Sequence, residues 1–80
     1  MSGPEQGRTV HGGSMTIIAN GEQMEIPLGT TVSALLELLS VAPAHVAVEL
    51  DEKVVPREVR SEVSISGGAR LEIVRFVGGG

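Results

Sequence analysis

Residues 15–28 read MTIIANGEQMEIPL, and this stretch predicts a β-hairpin. Its first five residues are apolar apart from one threonine, and the segment after the turn alternates in polarity. The apolar members of that second segment are Met24, Ile26 and Leu28. Asn20-Gly21 joins the two segments, and this dipeptide tolerates the two positive φ angles of a tight hairpin turn. Because proline has no backbone N–H, we expect Pro27 at a sheet edge or where the second strand leaves the ladder.

One main helix is predicted directly after this hairpin. Four apolar residues have the i, i+3, i+4, i+7 spacing of a single helix face: Val32, Leu35, Leu36 and Leu39. Thr30 or Thr31 can cap the N-terminus of the helix. We expect the helix to end within residues 40–42, because Pro43 disfavours helical geometry at the residue before it. Leu38 lies off the apolar face, but we expect it, like the other helix leucines, in the core and not in a docking surface.

The second half of the chain predicts a further hairpin and a final strand. Residues 46–50 alternate in polarity, residues 51–53 turn the chain, and Val54-Val55 forms a short strand that Pro56 closes. Residues 57–66 are expected to form one irregular turn and a short extended piece, and Gly67-Gly68 makes a turn before the last strand, residues 70–77. The order ββαββ with a final β predicts an α+β domain, with a mixed sheet of four to five strands packed on one main helix.

Composition along the chain predicts three parts. Residues 1–14 contain four glycines and one proline, and their apolar residues are Met1 and Val10 alone, so we expect a flexible leader that is either native or artificially added. Residues 15–77 are expected to form the folded domain. Residues 78–80, Gly-Gly-Gly, are expected to form a flexible C-terminal tail, called the glycine tail below.

Overall composition argues against several classes of function. The 80-residue chain has no cysteine, which excludes disulfides, thiolate metal sites and a cysteine nucleophile. Phe76 is its single aromatic residue and the formal net charge is −4, so nucleic acid is not an expected partner. His11 and His45 have no partners at metal-ligand spacing, and we predict no metal site. Without a membrane-spanning stretch or a signal peptide, the expected location is the cytoplasm.

The last strand changes its pattern midway. Leu71 and Ile73 alternate with polar residues, but the next position of that series is Arg75, whereas Val74 and Phe76 fall on the opposite series. One interpretation is a β-bulge or a strand covered on both faces. The other is that Val74 and Phe76 project outward as an apolar patch that contacts a partner protein. Arg57 likewise either contacts a partner or holds nearby Glu58 or a turn carbonyl.

The glycine tail carries the functional hypothesis. Taken alone, three terminal glycines are most often a frayed end or the remnant of a linker. Since glycine lacks a Cβ, however, Gly78 and Gly79 can thread through a narrow channel and present the α-carboxylate of Gly80 at a distant active site. That carboxylate can attack the α-phosphate of ATP to give an acyl-adenylate, from which a sulfur donor or an amine displaces AMP.

These segments together resemble the ubiquitin-like β-grasp sulfur carriers, and more narrowly the family that serves thiamine biosynthesis (ThiS). The matching segments are residues 17–22 (IIANGE), 29–32 (GTTV), 35–36 (LL), 54–57 (VVPR) and 70–80 (RLEIVRFVGGG). The glycine ending alone is shared with the small subunit of molybdopterin synthase and with ubiquitin. The FVGGG ending and the VVPR segment are more specific to the thiamine family.

The resemblance implies a carrier that is a co-substrate and not an enzyme. A ThiF-type adenylating enzyme would activate Gly80 with ATP, and a cysteine desulfurase relay would convert it to a thiocarboxylate. Thiazole synthase would accept that sulfur. The chain itself would have no catalytic residue and no permanently bound cofactor, and it would be a monomer when free, without membrane contact.

Three alternatives stay open. The first is a sulfur carrier for another pathway, such as molybdenum cofactor, cysteine or tRNA thiolation. The second is a ubiquitin-like modifier that joins Gly80 to lysines of target proteins. The third is an interaction domain whose tail has no role. An independent enzyme is the weakest option, because no nucleophile, base or metal cluster is visible in the sequence.

Overall fold

The computed structural model describes residues 13–76, and residues 1–12 and 77–80 lie outside the described part. Five strands and one α-helix are formed: β1 Ser14–Ala19, β2 Glu22–Pro27, α1 Val32–Leu38, β3 Val46–Leu50, β4 Lys53–Val54 and β5 Arg70–Arg75. Two 3₁₀ turns, Pro43–His45 and Arg57–Val59, lie in the connections. The α+β class and the single sheet on one helix are confirmed. The boundaries of β1, β4 and β5 differ from the predicted ones by one or two residues.

The sheet is mixed, with strand order β2-β1-β5-β3-β4. β5 runs parallel to β1 and antiparallel to β3, and the two hairpins β1-β2 and β3-β4 are antiparallel. The last strand therefore lies in the middle of the sheet and not at its edge. Because its neighbours pair with it from both sides, β5 has a fixed position in the domain.

Both hairpin turns need left-handed backbone. Asn20 and Gly21 have φ angles of 51° and 83°, which confirms the turn predicted for this dipeptide. Asp51 and Glu52 form the equivalent turn between β3 and β4, with φ angles of 51° and 72°. Pro27 is the last residue of the edge strand β2, as expected. Leu28 continues the predicted alternation but is exposed, because the strand ends one residue before it.

The core lies between the helix and one face of the sheet. Its largest fully buried side chains come from every long element: Ile17, Ile26, Val32, Leu35, Leu36, Val46, Val48 and Leu71. The other face of the sheet, which α1 does not cover, is called the open face below. On β5 the even-numbered residues Arg70, Glu72 and Val74 lie on the open face, and Phe76 continues this series because its N–H extends the ladder to His45 O.

The helix follows its predicted apolar face but is shorter at its C-terminus. Thr31 is the N-cap, since its Oγ1 accepts a hydrogen bond from the Ala34 N–H at 3.1 Å. The helix ends at Leu38, and Ser40 then takes a left-handed conformation with φ 57°. The prediction that Leu38 is in the core is wrong. Its side chain is 57% exposed, because it points away from the face through which Val32 and Leu36 contact the sheet.

Candidate functional site

The end of β5 keeps regular strand geometry. Its register with β3 is continuous from Leu50↔Leu71 to Val46↔Arg75, which rules out the β-bulge considered above. Val74 and Phe76 are 55% and 57% exposed on the open face, so the strand is not covered on both sides either. Val74 and Phe76 therefore project outward, and their contact with a partner protein stays a prediction.

Arg75 lies on the helix side of the sheet at the end of β5. It lines a groove there with Ser40, Ala42, His45 and Phe76. Arg75 is exposed, whereas Leu71 on the same side is fully buried and Ile73 is half-buried. Burial on this side of β5 therefore decreases toward the end of the strand, although Val46 opposite Arg75 stays buried.

An apolar patch on the open face lies at the end of β5 that precedes the glycine tail in sequence. It consists of Ala47, Val74 and Phe76, and Ala47 lies directly opposite Val74 in the β3–β5 ladder. The next pair along the ladder is Glu49 and Glu72, both exposed. This tail-side patch is therefore apolar. The next residue pair along the ladder, away from the tail, is acidic.

Asn20 holds β5 from the β1 side. The backbone N–H of Asn20 donates to Leu71 O at 2.9 Å. Its side-chain Nδ2 donates to Ile73 O at 3.1 Å, and its Oδ1 accepts from Ile73 N–H at 2.7 Å. The side-chain amide thus pairs with β5 where β1 turns away into the hairpin.

The 3₁₀ turn Pro43–His45 holds β5 from the other side. Phe76 N–H donates to His45 O at 2.8 Å, which extends the ladder to the last described residue. Two arginines hold the same turn. Arg57 Nη2 donates to Ala44 O at 3.2 Å, which confirms that this side chain holds a turn carbonyl. Arg60 donates from Nη1 to Pro43 O at 2.9 Å and from Nη2 to Val46 O at 2.7 Å.

Arg60 is the residue of this region that sequence reasoning missed. It is 5% exposed and lies in a segment for which only an irregular turn and a short extended piece are predicted. No local signal distinguishes it, because its acceptors are backbone carbonyls 14 and 17 residues away. Long-range contacts with backbone atoms have no pattern in sequence.

The remaining predicted site residues are only partly placed. Val74 and Phe76 come together with Ala47 as described. Gly78, Gly79 and Gly80 lie outside the described residues. The His45 side chain is exposed, and its functional contribution to this region is its backbone carbonyl. In the described part of the chain, no helix has the length and apolar character needed to cross a membrane.

Comparisons with known proteins agree with this architecture. Residues 14–80 match the model of the ThiS family. The sulfur carrier protein ThiS from Escherichia coli is 30% identical over 66 residues, which is 82% of this chain and all of that protein. The crystal structure of thiamine biosynthesis protein ThiS from Geobacter metallireducens superposes with a TM-score of 0.72 at 33% identity, covering 82% of this chain and 100% of that one.

Larger proteins also contain this region. A thiazole synthase from Paramagnetospirillum magneticum is 41% identical over 66 residues, and one from Magnetococcus marinus has the same identity over the same length. In both, the match spans 82% of this chain but only 20% of the thiazole synthase. The family match and the structural match, taken with the mixed sheet on one helix, confirm the ubiquitin-like β-grasp fold. The chain therefore belongs to the ThiS family.

Proposed function

We propose that this chain carries sulfur as a thiocarboxylate on its C-terminal residue, Gly80. The observation that carries the proposal is the position of β5. The strand before the tail lies in the middle of the sheet and is held on one side by Asn20 and on the other by His45 O. A rigid base followed by glycines suits a chain that must deliver its terminus to another protein's active site.

The proposed chemistry uses the Gly80 carboxylate alone. A ThiF-type adenylating enzyme binds ATP, and a carboxylate oxygen attacks the α-phosphate to give the acyl-adenylate and pyrophosphate. The terminal sulfur of a persulfide on the cysteine desulfurase relay then attacks the carbonyl carbon and AMP leaves. A thiol reductant cleaves the S–S bond of the resulting acyl disulfide, which releases the thiocarboxylate and leaves the relay cysteine in a disulfide. In this scheme the ATP belongs to the partner enzyme, and this chain contributes the reacting terminus without a catalytic side chain or a bound cofactor.

Recognition of the adenylating enzyme is assigned to the tail-side patch. Val74 and Phe76 are large apolar side chains left more than half exposed beside the tail, and burial of such groups drives protein association. Gly78 and Gly79 are proposed to thread the channel that leads to the nucleotide, since any Cβ there would widen the tail.

Thiazole synthase is the proposed sulfur acceptor. The support comes from the two thiazole synthases that contain a region 41% identical to this chain. Covalent linkage of two modules raises the effective concentration of one at the other, which is useful when the two must meet repeatedly. We place this exchange in the cytoplasm, which cell fractionation would test.

The proposed function is tested by intact-mass spectrometry of the chain after incubation with the adenylating enzyme, ATP and the sulfur relay. The expected result is a mass gain equal to replacement of one oxygen by sulfur, located at Gly80 by fragmentation. The matched control is the chain with Gly80 deleted, which should not gain this mass. An unchanged mass of the full chain with all components active would contradict the carrier function.

Co-purification and cell extracts distinguish the alternative functions. Co-purification with thiazole synthase supports the thiamine pathway, whereas co-purification with the large subunit of molybdopterin synthase supports the molybdenum cofactor pathway. Isopeptide conjugates of Gly80 with lysines in cell extracts would instead indicate a protein modifier.

A further inference from the structure

We infer that Arg60 is a positioning residue for the glycine tail, acting through the turn Pro43–His45 on the backbone of Phe76. This inference rests on the proposed function, because it assigns to Arg60 a part in delivering the Gly80 carboxylate. It concerns a residue that contacts neither the tail-side patch nor the reacting terminus in the described structure.

The environment of Arg60 is unusual for a charged side chain. Arginine is rarely buried unless it is paired, yet Arg60 is 5% exposed, and its recorded acceptors are two backbone carbonyls. Its Nε is buried without a hydrogen-bond partner among the described residues. Burying a charge with an unsatisfied N–H costs free energy. Burial of Arg60 therefore costs this small domain stability. Its role lies in the turn that its two hydrogen bonds hold.

The two hydrogen bonds bracket the turn. Pro43 O and Val46 O lie at its two ends, and one guanidinium group binds both. At Val46 the guanidinium occupies a place that a longer β4 would fill, since β4 pairs only with Glu49 and Leu50. Arg60 therefore binds β3 at a position that β4 does not reach. It also connects the turn Pro43–His45 to residues 57–60.

The other carbonyls of the turn are also occupied. Ala42 O accepts from His45 N–H at 3.1 Å, and Ala44 O accepts from Arg57 at 3.2 Å. His45 O is left to accept the Phe76 N–H. Without Arg60, the carbonyls of Pro43 and Val46 lose their hydrogen-bond partners. A movement of the turn that exposes these carbonyls to water then lowers its free energy. The position of His45 O, and with it the pairing of Phe76, depends on the arginine.

Loss of the Phe76 pairing would move the last residue that the sheet holds back along the chain. Ile73 stays held by Asn20 and Val74 by its place opposite Ala47, so the last held residue would change from Phe76 to Val74, and the number of residues after it from four to six. For a glycine-rich chain, whose reach grows as the square root of its length, a change from four to six residues enlarges the volume that the terminus can sample about twofold. The terminus would also lose the fixed starting direction that β5 supplies.

The test compares Arg60→Lys with Arg57→Ala. A lysine keeps the charge but cannot bind both carbonyls in the fork geometry of a guanidinium. Arg57→Ala removes a single, exposed hydrogen bond to the same turn and is the matched control. The first readout is amide hydrogen exchange of Phe76, with Ile73 as the internal reference, because Asn20 holds Ile73 independently of the turn. The second is steady-state adenylation, with kcat and KM measured separately.

For Arg60→Lys we expect Phe76 protection to fall about tenfold or more relative to Ile73. We expect kcat to fall about twofold or more, since the docked carrier presents its carboxylate less often. Arg57→Ala should change both readouts less. Loss of thermal stability with Phe76 protection and kcat unchanged would show that Arg60 is merely structural and would overturn the inference.

A measurement on the wild-type chain covers the case in which Arg60→Lys does not fold. The guanidinium protons of Arg60 and the Phe76 amide should lose protection together at denaturant concentrations that leave Ile73 protected. Exchange of Phe76 while the Arg60 protons stay protected would contradict the coupling. Absence of any adenylation of the wild-type chain would instead contradict the proposed function. The hydrogen-exchange results would still test the coupling of Arg60 to Phe76.

Discussion

The side-chain amide of Asn20 pairs with the backbone of Ile73 through two hydrogen bonds, 3.1 Å from Nδ2 to Ile73 O and 2.7 Å from Ile73 N to Oδ1. The parallel β1–β5 ladder ends at this point because Asn20 and Gly21 form the hairpin turn. The amide therefore replaces the next peptide group of β1. One residue both turns the first hairpin and holds the last strand, 53 positions away in the chain.

Replacing Asn20 should separate these two roles. Asn20→Gly keeps a residue that accepts the φ of 51° but removes both hydrogen bonds, and we expect it to lower the free energy of unfolding by about 1–3 kcal/mol. Asn20→Ala also adds the strain of a left-handed backbone, which costs about 1 kcal/mol more. Denaturant unfolding of the wild type, Asn20→Gly and Asn20→Ala measures the contribution of the hydrogen bonds and that of the backbone strain separately. Equal stability of Asn20→Gly and wild type would show that the amide pairing contributes nothing.

The turn between β3 and β4 contains strain that glycine would relieve. Glu52 has a φ of 72°. We expect Glu52→Gly to raise the free energy of unfolding by about 1 kcal/mol, because glycine takes this conformation without a Cβ penalty. Asp51→Gly is the matched control. The Oδ1 of Asp51 accepts from Arg70 N–H at 2.9 Å, so relief of strain there is offset by loss of that bond. A Glu52→Gly protein that unfolds at lower denaturant concentration would contradict this account.

The helix N-terminus depends on one hydroxyl. Thr31→Ala should destabilise the domain by about 1 kcal/mol, because the Ala34 N–H loses its capping acceptor. Thr31→Ser keeps the hydroxyl and should stay close to wild type. Thermal unfolding followed by circular dichroism distinguishes the two variants. Equal loss of stability in both would point to the methyl group of Thr31 and not to its cap.

The features that could be predicted are those that local sequence patterns determine. Asn20-Gly21, the apolar helix face and Pro27 each act through neighbours in the chain, and the structure confirms all three. Leu38 was assigned to the core although the periodicity already put it off the apolar face, and its exposure agrees with that periodicity. Arg75 was ambiguous because the polarity pattern of a single strand does not tell which of its faces the helix covers.

Contacts between distant segments were not predictable. The pairing of Asn20 with Ile73 and of Arg60 with Pro43 O and Val46 O joins side chains to backbone atoms, and any residue supplies a backbone carbonyl. Such contacts leave no periodicity and no spacing in the sequence. They are nevertheless the contacts that fix the base of the tail, so this part of the candidate site needed the structure.

Truncation of the tail-side patch should weaken adenylation without unfolding the domain. Val74 and Phe76 are more than half exposed, so Val74→Ala and Phe76→Ala should each change the free energy of unfolding by about 0.5 kcal/mol or less. Their loss should raise the KM of the carrier for the adenylating enzyme, with kcat less affected, because the patch is proposed to contribute binding and not chemistry.

Leu38→Ala is the matched control for the patch. Leu38 has the same 57% exposure as Phe76, but it lies on the helix, away from the open face of the sheet. Its truncation removes a similar exposed apolar area and should leave the KM unchanged. A rise in KM equal to that of Phe76→Ala would show that the enzyme responds to general surface hydrophobicity. An unfolded Phe76→Ala protein would show that Phe76 acts in the core, contrary to its exposure beside the tail.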